Sequence, residues 1–208
     1  MYPQTINEQT KRVFEKIKDI SFLKDFYLAG GTALALEIGH RVSIDLDFFS
    51  QKPFSREKLK RELSQKGLLV LVSEDESTLH CTLDGVKISF IEYPYTMLFD
   101  WREFSGIKLA DERDIASMKI EDISSRGAKK DFIDIYFLLK KYTLSELFRY
   151  FETKFSGIQY NSIHIEKSLV FFESADSEPM PVMCSPLDWE EVKKEIIDTV
   201  LQKKNPTS

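Results

Sequence analysis

With 208 residues, 42% of them hydrophobic and 30% charged, the chain has an ordinary globular balance that excludes disorder and allows one large domain or two small ones. Sixteen Phe and eight Tyr predict an aromatic core, and a net charge of -5 gives no general drive toward nucleic acid, although steering depends on charge distribution rather than on the sum. Met1 to Arg12 lacks the apolar core of a signal peptide, and no apolar run approaches the roughly 18 to 20 residues of a membrane span. Cys81 and Cys184 stand alone without CxxC spacing, so free thiols in a cytoplasmic protein are expected, and the scattered His40, His80 and His164 speak against a zinc site.

In chain order, Val13, Ile17 and Ile20 give Thr5 to Ile20 the spacing of an amphipathic helix. Phe26 to Ala29 reads as a short buried strand running into Gly30-Gly31, and Thr32 to Glu37 as a helix stopped at Gly39. From Ser43 to Phe49, Ile44, Leu46 and Phe48 alternate with Asp45 and Asp47, the period of a strand. Ser55 to Lys66 predicts a helix capped by Ser55 and ended by Gly67. Three apolar segments follow at 68–72, 78–83 and 86–93, the last two joined by an Asp84-Gly85 hairpin signal. From Asp111 the pattern turns helical, with helices expected over 111–125, 130–142, 144–155 and 188–202, and a proline-containing loop over 174–186. The order predicts an α+β fold, with a mixed sheet flanked by helices and then a helical C-terminal portion.

The chemistry concentrates in two stretches. Side chains two apart on a strand share a face, so Asp45 and Asp47 are expected side by side, and adjacent carboxylates call for solvent or a bridging cation. Hard oxygen ligands suit Mg2+, which keeps several waters and borrows further ligands from substrate phosphates. Taken alone, the pair also fits the solvent face of a half-buried strand. A strand–Gly30-Gly31-Thr32–helix junction exposes N–H groups that can cradle phosphates, with the Thr32 hydroxyl as a further donor, although an ordinary tight turn has the same composition. Later, Lys119, Asp122 and Arg126 fall on one stripe of a helix, where Lys119 can reach a triphosphate and Arg126 can hold phosphate bidentately; a solvated charged face fits the same spacing. Asp131 and Asp134 open the next helix, where carboxylates favour the positive end of the dipole. Arg41, Lys52, Arg56 and Lys60 read as solvated surface and are the candidates for an acceptor contact. Phe48, Trp101 and Trp189 read as packing residues.

Gly30-Gly31-Thr32-Ala33-Leu34-Ala35-Leu36, with His40-Arg41-x-Ser43-x-Asp45-Leu46-Asp47-Phe48-Phe49, resembles the AbiEii/AbiGii toxin family of the nucleotidyltransferase superfamily. The segment from Lys119 through Arg126 to Asp131 and Asp134 resembles the same family's distal motif. The resemblance implies a polymerase-β-like nucleotidyltransferase core over 1–105 and a mainly helical portion over 106–208. It also implies Mg2+-dependent transfer of an NMP from an NTP to an acceptor hydroxyl, with RNA, and tRNA in particular, as the first expectation, and a role as the toxin of a toxin–antitoxin or phage-defence pair with a cognate antitoxin. By the same resemblance Asp45, Asp47, Lys119, Asp131 and Asp134 are the catalytic candidates. Asp45 and Asp47 are the metal ligands, and Gly30, Gly31, Thr32, Ser43, Lys119 and Arg126 the nucleotide-binding set. The chain departs from the wider superfamily at Ser89, where a third carboxylate is expected to face the two aspartates, and Glu92 points to the opposite face. Asp122, Asp131 or Asp134 is then left to supply that function. The alternatives are a nucleotide- or partner-binding module without efficient transfer, and a small-molecule nucleotidyltransferase.

Overall fold

The computed structural model describes residues 1–204. The chain divides into two compact units, Met1–Asp111 and Glu112–Ser208. The first is built on a seven-stranded mixed sheet, β1 (Tyr27–Ala29), β2 (Leu46–Ser50), β3 (Leu69–Glu74), β4 (Thr78–Leu83), β5 (Val86–Glu92), β6 (Arg102–Phe104) and β7 (Ile107–Leu109), in the order β3-β4-β5-β2-β1-β7-β6. Three α-helices accompany it among the described residues: α1 (Glu8–Ile17), α2 (Gly30–Ile38) and α3 (Arg56–Ser64). Their N-termini are set by side-chain chemistry where the sequence offers it, since Asn7 caps α1 through Thr10 N and Ser55 caps α3 through Lys58 N.

The sheet has one apolar face. Leu46, Ile88 and Cys81 form one cross-strand row, and Phe48, Phe90 and Leu79 the next, all buried. Phe48 and Phe90 stack with centroids 5.4 Å apart, and Phe26 meets Phe90 edge-on at 5.3 Å. The hairpin between β4 and β5 turns on Asp84 (φ 49°) and Gly85 (φ 81°), as its Asp-Gly signal predicts. A second hairpin, β6–β7, turns on Ser105 (φ 48°) and Gly106 (φ 82°) and adds β7 beside β1, so the sheet unit runs on through Leu109. Strands of three residues are too short to show a period, and this hairpin has no counterpart among the predicted elements.

The second unit is helical: α4 (Glu112–Ser125), α5 (Lys129–Leu139), α6 (Leu144–Lys154), α7 (Ser162–Ser168), α8 (Glu173–Asp176) and α9 (Trp189–Lys204). A reciprocal capping box between Thr143 and Glu146 starts α6. Helices α4 and α6 are joined by a fully buried ion pair, Lys154 Nζ to Asp114 Oδ1 at 2.8 Å. Trp189 packs against Phe132 and Phe172, as a packing residue should, whereas Trp101 is partly exposed against Tyr27. The predicted proline-containing loop begins with the short α8, and α7 is an addition to the predicted set. Cys81 is a buried free thiol and Cys184 an exposed one. Among the described residues, no helix is long and apolar enough to cross a membrane.

Candidate active site

Strand β1 delivers the chain into α2 with Ala29 at the N-cap and no side chain bonded to that helix terminus. The first-turn N–H groups of Gly30, Gly31 and Thr32 have no acceptor within the helix. Gly30 has φ +66°, and a Cβ built there would lie 3.3 Å from Asp47 Oδ2, so the Asp47 carboxylate rests against the bare backbone of Gly30. A Cβ on Gly31 would lie 2.5 Å from Arg41 Nη2 and 3.3 Å from Ser43 Oγ. Gly30 is required by its backbone angle, whereas a side chain at Gly31 would have to displace the Arg41 guanidinium that lies over it.

Strands β1 and β2 pair antiparallel with Ala29 opposite Asp47, which brings the glycine turn and the acidic segment to the same end of the sheet. Asp45 lies just before β2, and Asp47 is its second residue; both are half-buried. Ile44, expected to point inward as part of a longer strand, is 49% exposed because the strand begins only at Leu46. The Thr32 hydroxyl, expected to be a phosphate donor, is buried. It donates to the carbonyl of Asp45 and lies 2.9 Å from Ser43 Oγ. Its role is to fasten the first turn of α2 to the acidic segment, and only its main-chain N–H remains for an anion. Ser43 is likewise tied to Thr32. Arg41, read from sequence as solvated, is buried over Gly31, and Lys60 is engaged by Glu57 and Glu74. The Arg41 placement and the Lys60–Glu74 pair depend on contacts between elements, which spacing along the chain cannot show, whereas Lys60–Glu57 is a local i,i+3 pair.

Among the described residues, neither Asp45 nor Asp47 has a Lys, Arg or His within ion-pair distance, and no group of three His, Cys, Asp or Glu forms a ready-made metal cluster. Asp47 pairs in register with Ser89 on β5, and Ser89 with His80 on β4, so these three side chains form one row on the half-open face of the sheet. The position facing Asp47 is thus a hydroxyl, as read from the sequence. His80 is a neighbour that the Asp84-Gly85 hairpin register could have revealed. Two carboxylates without an ion-pair partner suit a magnesium ion that completes its shell with water and phosphate oxygens, so the residues present fit that group.

The distal motif forms its own cluster within the helical unit. Lys119 Nζ, 2% exposed, lies 2.6 Å from Asp131 Oδ1, 3.0 Å from Asp134 Oδ2 and 3.8 Å from Asp122 Oδ2. Arg126 places Nε 3.2 Å from Asp131 Oδ2 and Nη2 3.1 Å from Asp122 Oδ2, and its side chain is half-exposed. Asp131 and Asp134 are fully buried in the first turns of α5, so Lys119 links α4 to α5. Burial pushes the Asp122 carboxyl above its ordinary range, against the lowering pull of Lys119, and burial likewise raises Glu121.

A family model described as nucleotidyl transferase AbiEii toxin, type IV TA system, matches residues 12–67. An uncharacterized protein of Aquifex aeolicus, aq_aa25, is 38% identical over 201 residues, covering 91% of this chain and 93% of that protein. Among solved structures, JHP933 from Helicobacter pylori superposes with a TM-score of 0.56 at 18% identity, covering 96% of this chain and 94% of its own. MenT4, a nucleotidyltransferase toxin from Mycobacterium tuberculosis, superposes with a TM-score of 0.56 at 11% identity, covering 91% and 80%. The fold is that of the polymerase-β-like nucleotidyltransferases, and residues 12–67 carry the AbiEii nucleotidyltransferase toxin match.

Proposed function

We propose that the protein transfers an NMP from an NTP to an acceptor hydroxyl, with RNA, and tRNA first, as the acceptor, acting as the toxin of a pair with a cognate antitoxin. The observation that carries this reading is the pairing of Ala29 with Asp47. It sets an uncapped helix N-terminus beside two carboxylates that lack an ion-pair partner. The N–H groups of Gly30, Gly31 and Thr32 hold the phosphates, since main-chain donors at a helix N-terminus favour anions. Asp45 and Asp47 hold Mg2+, which when bound supplies charge neutralisation at the phosphates and polarises the reacting phosphorus. The Thr32 hydroxyl fixes the Asp45 main chain, and Gly30 leaves room for the Asp47 carboxylate. The distal motif lies in the helical unit, where Lys119 is buried among Asp131, Asp134 and Asp122 and is read as tying α4 to α5, and half-exposed Arg126 is the group of that motif read as a phosphate contact.

Ser89 opposite Asp47 favours a second reading, a nucleotide-binding module that turns over slowly for want of a third carboxylate. The two separate in one assay with labelled NTPs, Mg2+ and total tRNA. Label transfer that disappears in Asp47→Ala supports the enzyme. NTP binding without transfer across RNA, protein and small-molecule acceptors favours the module.

A further inference from the structure

One outer edge of the sheet in the first unit is β3, which among the described residues pairs only with β4. The Leu68 carbonyl accepts from Asp84 N at 2.9 Å, and Leu68 N donates to Asp84 Oδ1 at 2.8 Å. Main-chain groups alternate along an antiparallel strand, so those of Leu68 and Val70 turn inward, and those of Leu69 and Leu71 turn outward. The run Leu68-Leu69-Val70-Leu71-Val72 has no charge and no proline, and Leu68 is 71% exposed, Val70 51%, Leu71 48% and Val72 65%. Edges of this composition template pairing with another strand unless something blunts them. The register shift between Leu71 and Ser73 comes too late to protect the stretch before it.

We propose that β3 is a homodimer interface, with two copies pairing antiparallel edge to edge about a two-fold axis through Val70. Leu69 then faces the partner's Leu71 and Leu71 the partner's Leu69, giving about four main-chain hydrogen bonds from the outward-facing groups. Val70 meets the partner's Val70, and the exposed Leu68 of each copy flanks that contact, before the irregularity at Val72, so the exposed apolar side chains near the axis cover each other. Charge selects the occupant. Lys66 precedes the strand, while Glu74, Asp75 and Glu76 follow its apolar run. Antiparallel self-pairing sets the basic end of each copy against the acidic end of the other, whereas parallel pairing sets like against like. This self-complementarity suits a second copy of the same chain, and it stands independently of the nucleotidyl-transfer proposal.

The test uses the full chain with the exposed thiol removed by Cys184→Ser. At the centre of the proposed axis the two Val70 Cα atoms form a non-hydrogen-bonded pair about 4.5 Å apart, within disulfide range. The V70C variant is expected to form a disulfide-linked dimer rapidly under mild oxidation. L68C, at a more exposed position but well away from its own copy across the axis, is expected to cross-link slowly. In sedimentation equilibrium, Val70→Lys, which opposes two like charges at the axis, is expected to weaken dimerisation at least about tenfold, with an unchanged far-ultraviolet spectrum. A monomer at every concentration up to the solubility limit, a dimer indifferent to Val70→Lys, or equally fast cross-linking of V70C and L68C would overturn the proposal.

Discussion

Replacing Lys119 with methionine keeps most of the side chain's length and removes its charge from among three carboxylates at 2.6, 3.0 and 3.8 Å. Asp131 and Asp134 are fully buried, so water cannot take the place of the ammonium group. At an effective dielectric of about 20, each of the two close pairs contributes on the order of 6 kcal/mol of attraction, part of which offsets the cost of burying the ions. Arg126 stays beside Asp131 and limits the damage. The expected net loss is about 3–5 kcal/mol, the range for breaking a buried pair from one side. Urea unfolding followed by circular dichroism measures it, with the slope checked for constancy so that the shift in midpoint reports stability. Combining Lys119→Met with Asp131→Asn and Asp134→Asn leaves no buried charge behind, and should cost less than the single change. A single-variant loss under about 1 kcal/mol, or a triple variant worse than the single one, would refute the idea that Lys119 holds α4 to α5.

Further outcomes follow from other parts of the molecule. Gly30→Ala must adopt φ +66° and press on Asp47 Oδ2, so it should destabilise by about 1–2 kcal/mol and reduce label transfer by more than that stability loss explains; wild-type transfer in a folded variant would contradict it. The Asp75 carboxylate accepts from Ser77 N at 2.8 Å, Thr78 N at 2.9 Å and Ser77 Oγ at 3.1 Å, which pulls it down to about 2. With the folded value depressed, its contribution to the β3–β4 turn is complete above the ordinary value of 3.8 and fades as pH falls toward 2; an NMR titration midpoint near 4 would show the turn to be absent. Burial pushes the Cys81 thiol up to about 11, so a thiol reagent at mild alkaline pH should label Cys184 quickly and Cys81 only on unfolding. Two equally fast thiols would place Cys81 outside the core.

Legibility in the sequence followed the range of the interactions involved. The strands over 78–83 and 86–93 and their turn were readable because alternation and Asp-Gly chemistry are local. The glycine turn and the strand position of Asp47 were readable for the same reason, and pairing of their strands was the natural way to join them, whereas Asp45, expected beside Asp47 on the same strand, lies ahead of it. Arg41 over Gly31 was not readable, since it depends on how the loop between α2 and β2 folds back. The Thr32 hydroxyl looked available because a helix N-terminus normally offers its hydroxyl outward or to its own backbone, whereas here a carbonyl thirteen residues on takes it. The β6–β7 hairpin did carry a signal, Ser105-Gly106, but its flanking strands were too short to support one.

The bond from Thr32 to the Asp45 carbonyl has a consequence for substrate choice. Under the proposed function, it mounts the glycine turn and the acidic pair on one bracket, whose groups open to a nucleotide are main-chain amides and carboxylates. Those groups meet features that ATP, GTP, CTP and UTP have in common. Any preference among the four bases must therefore be written in side chains that stand off this bracket, and could be rewritten there without disturbing the grip itself.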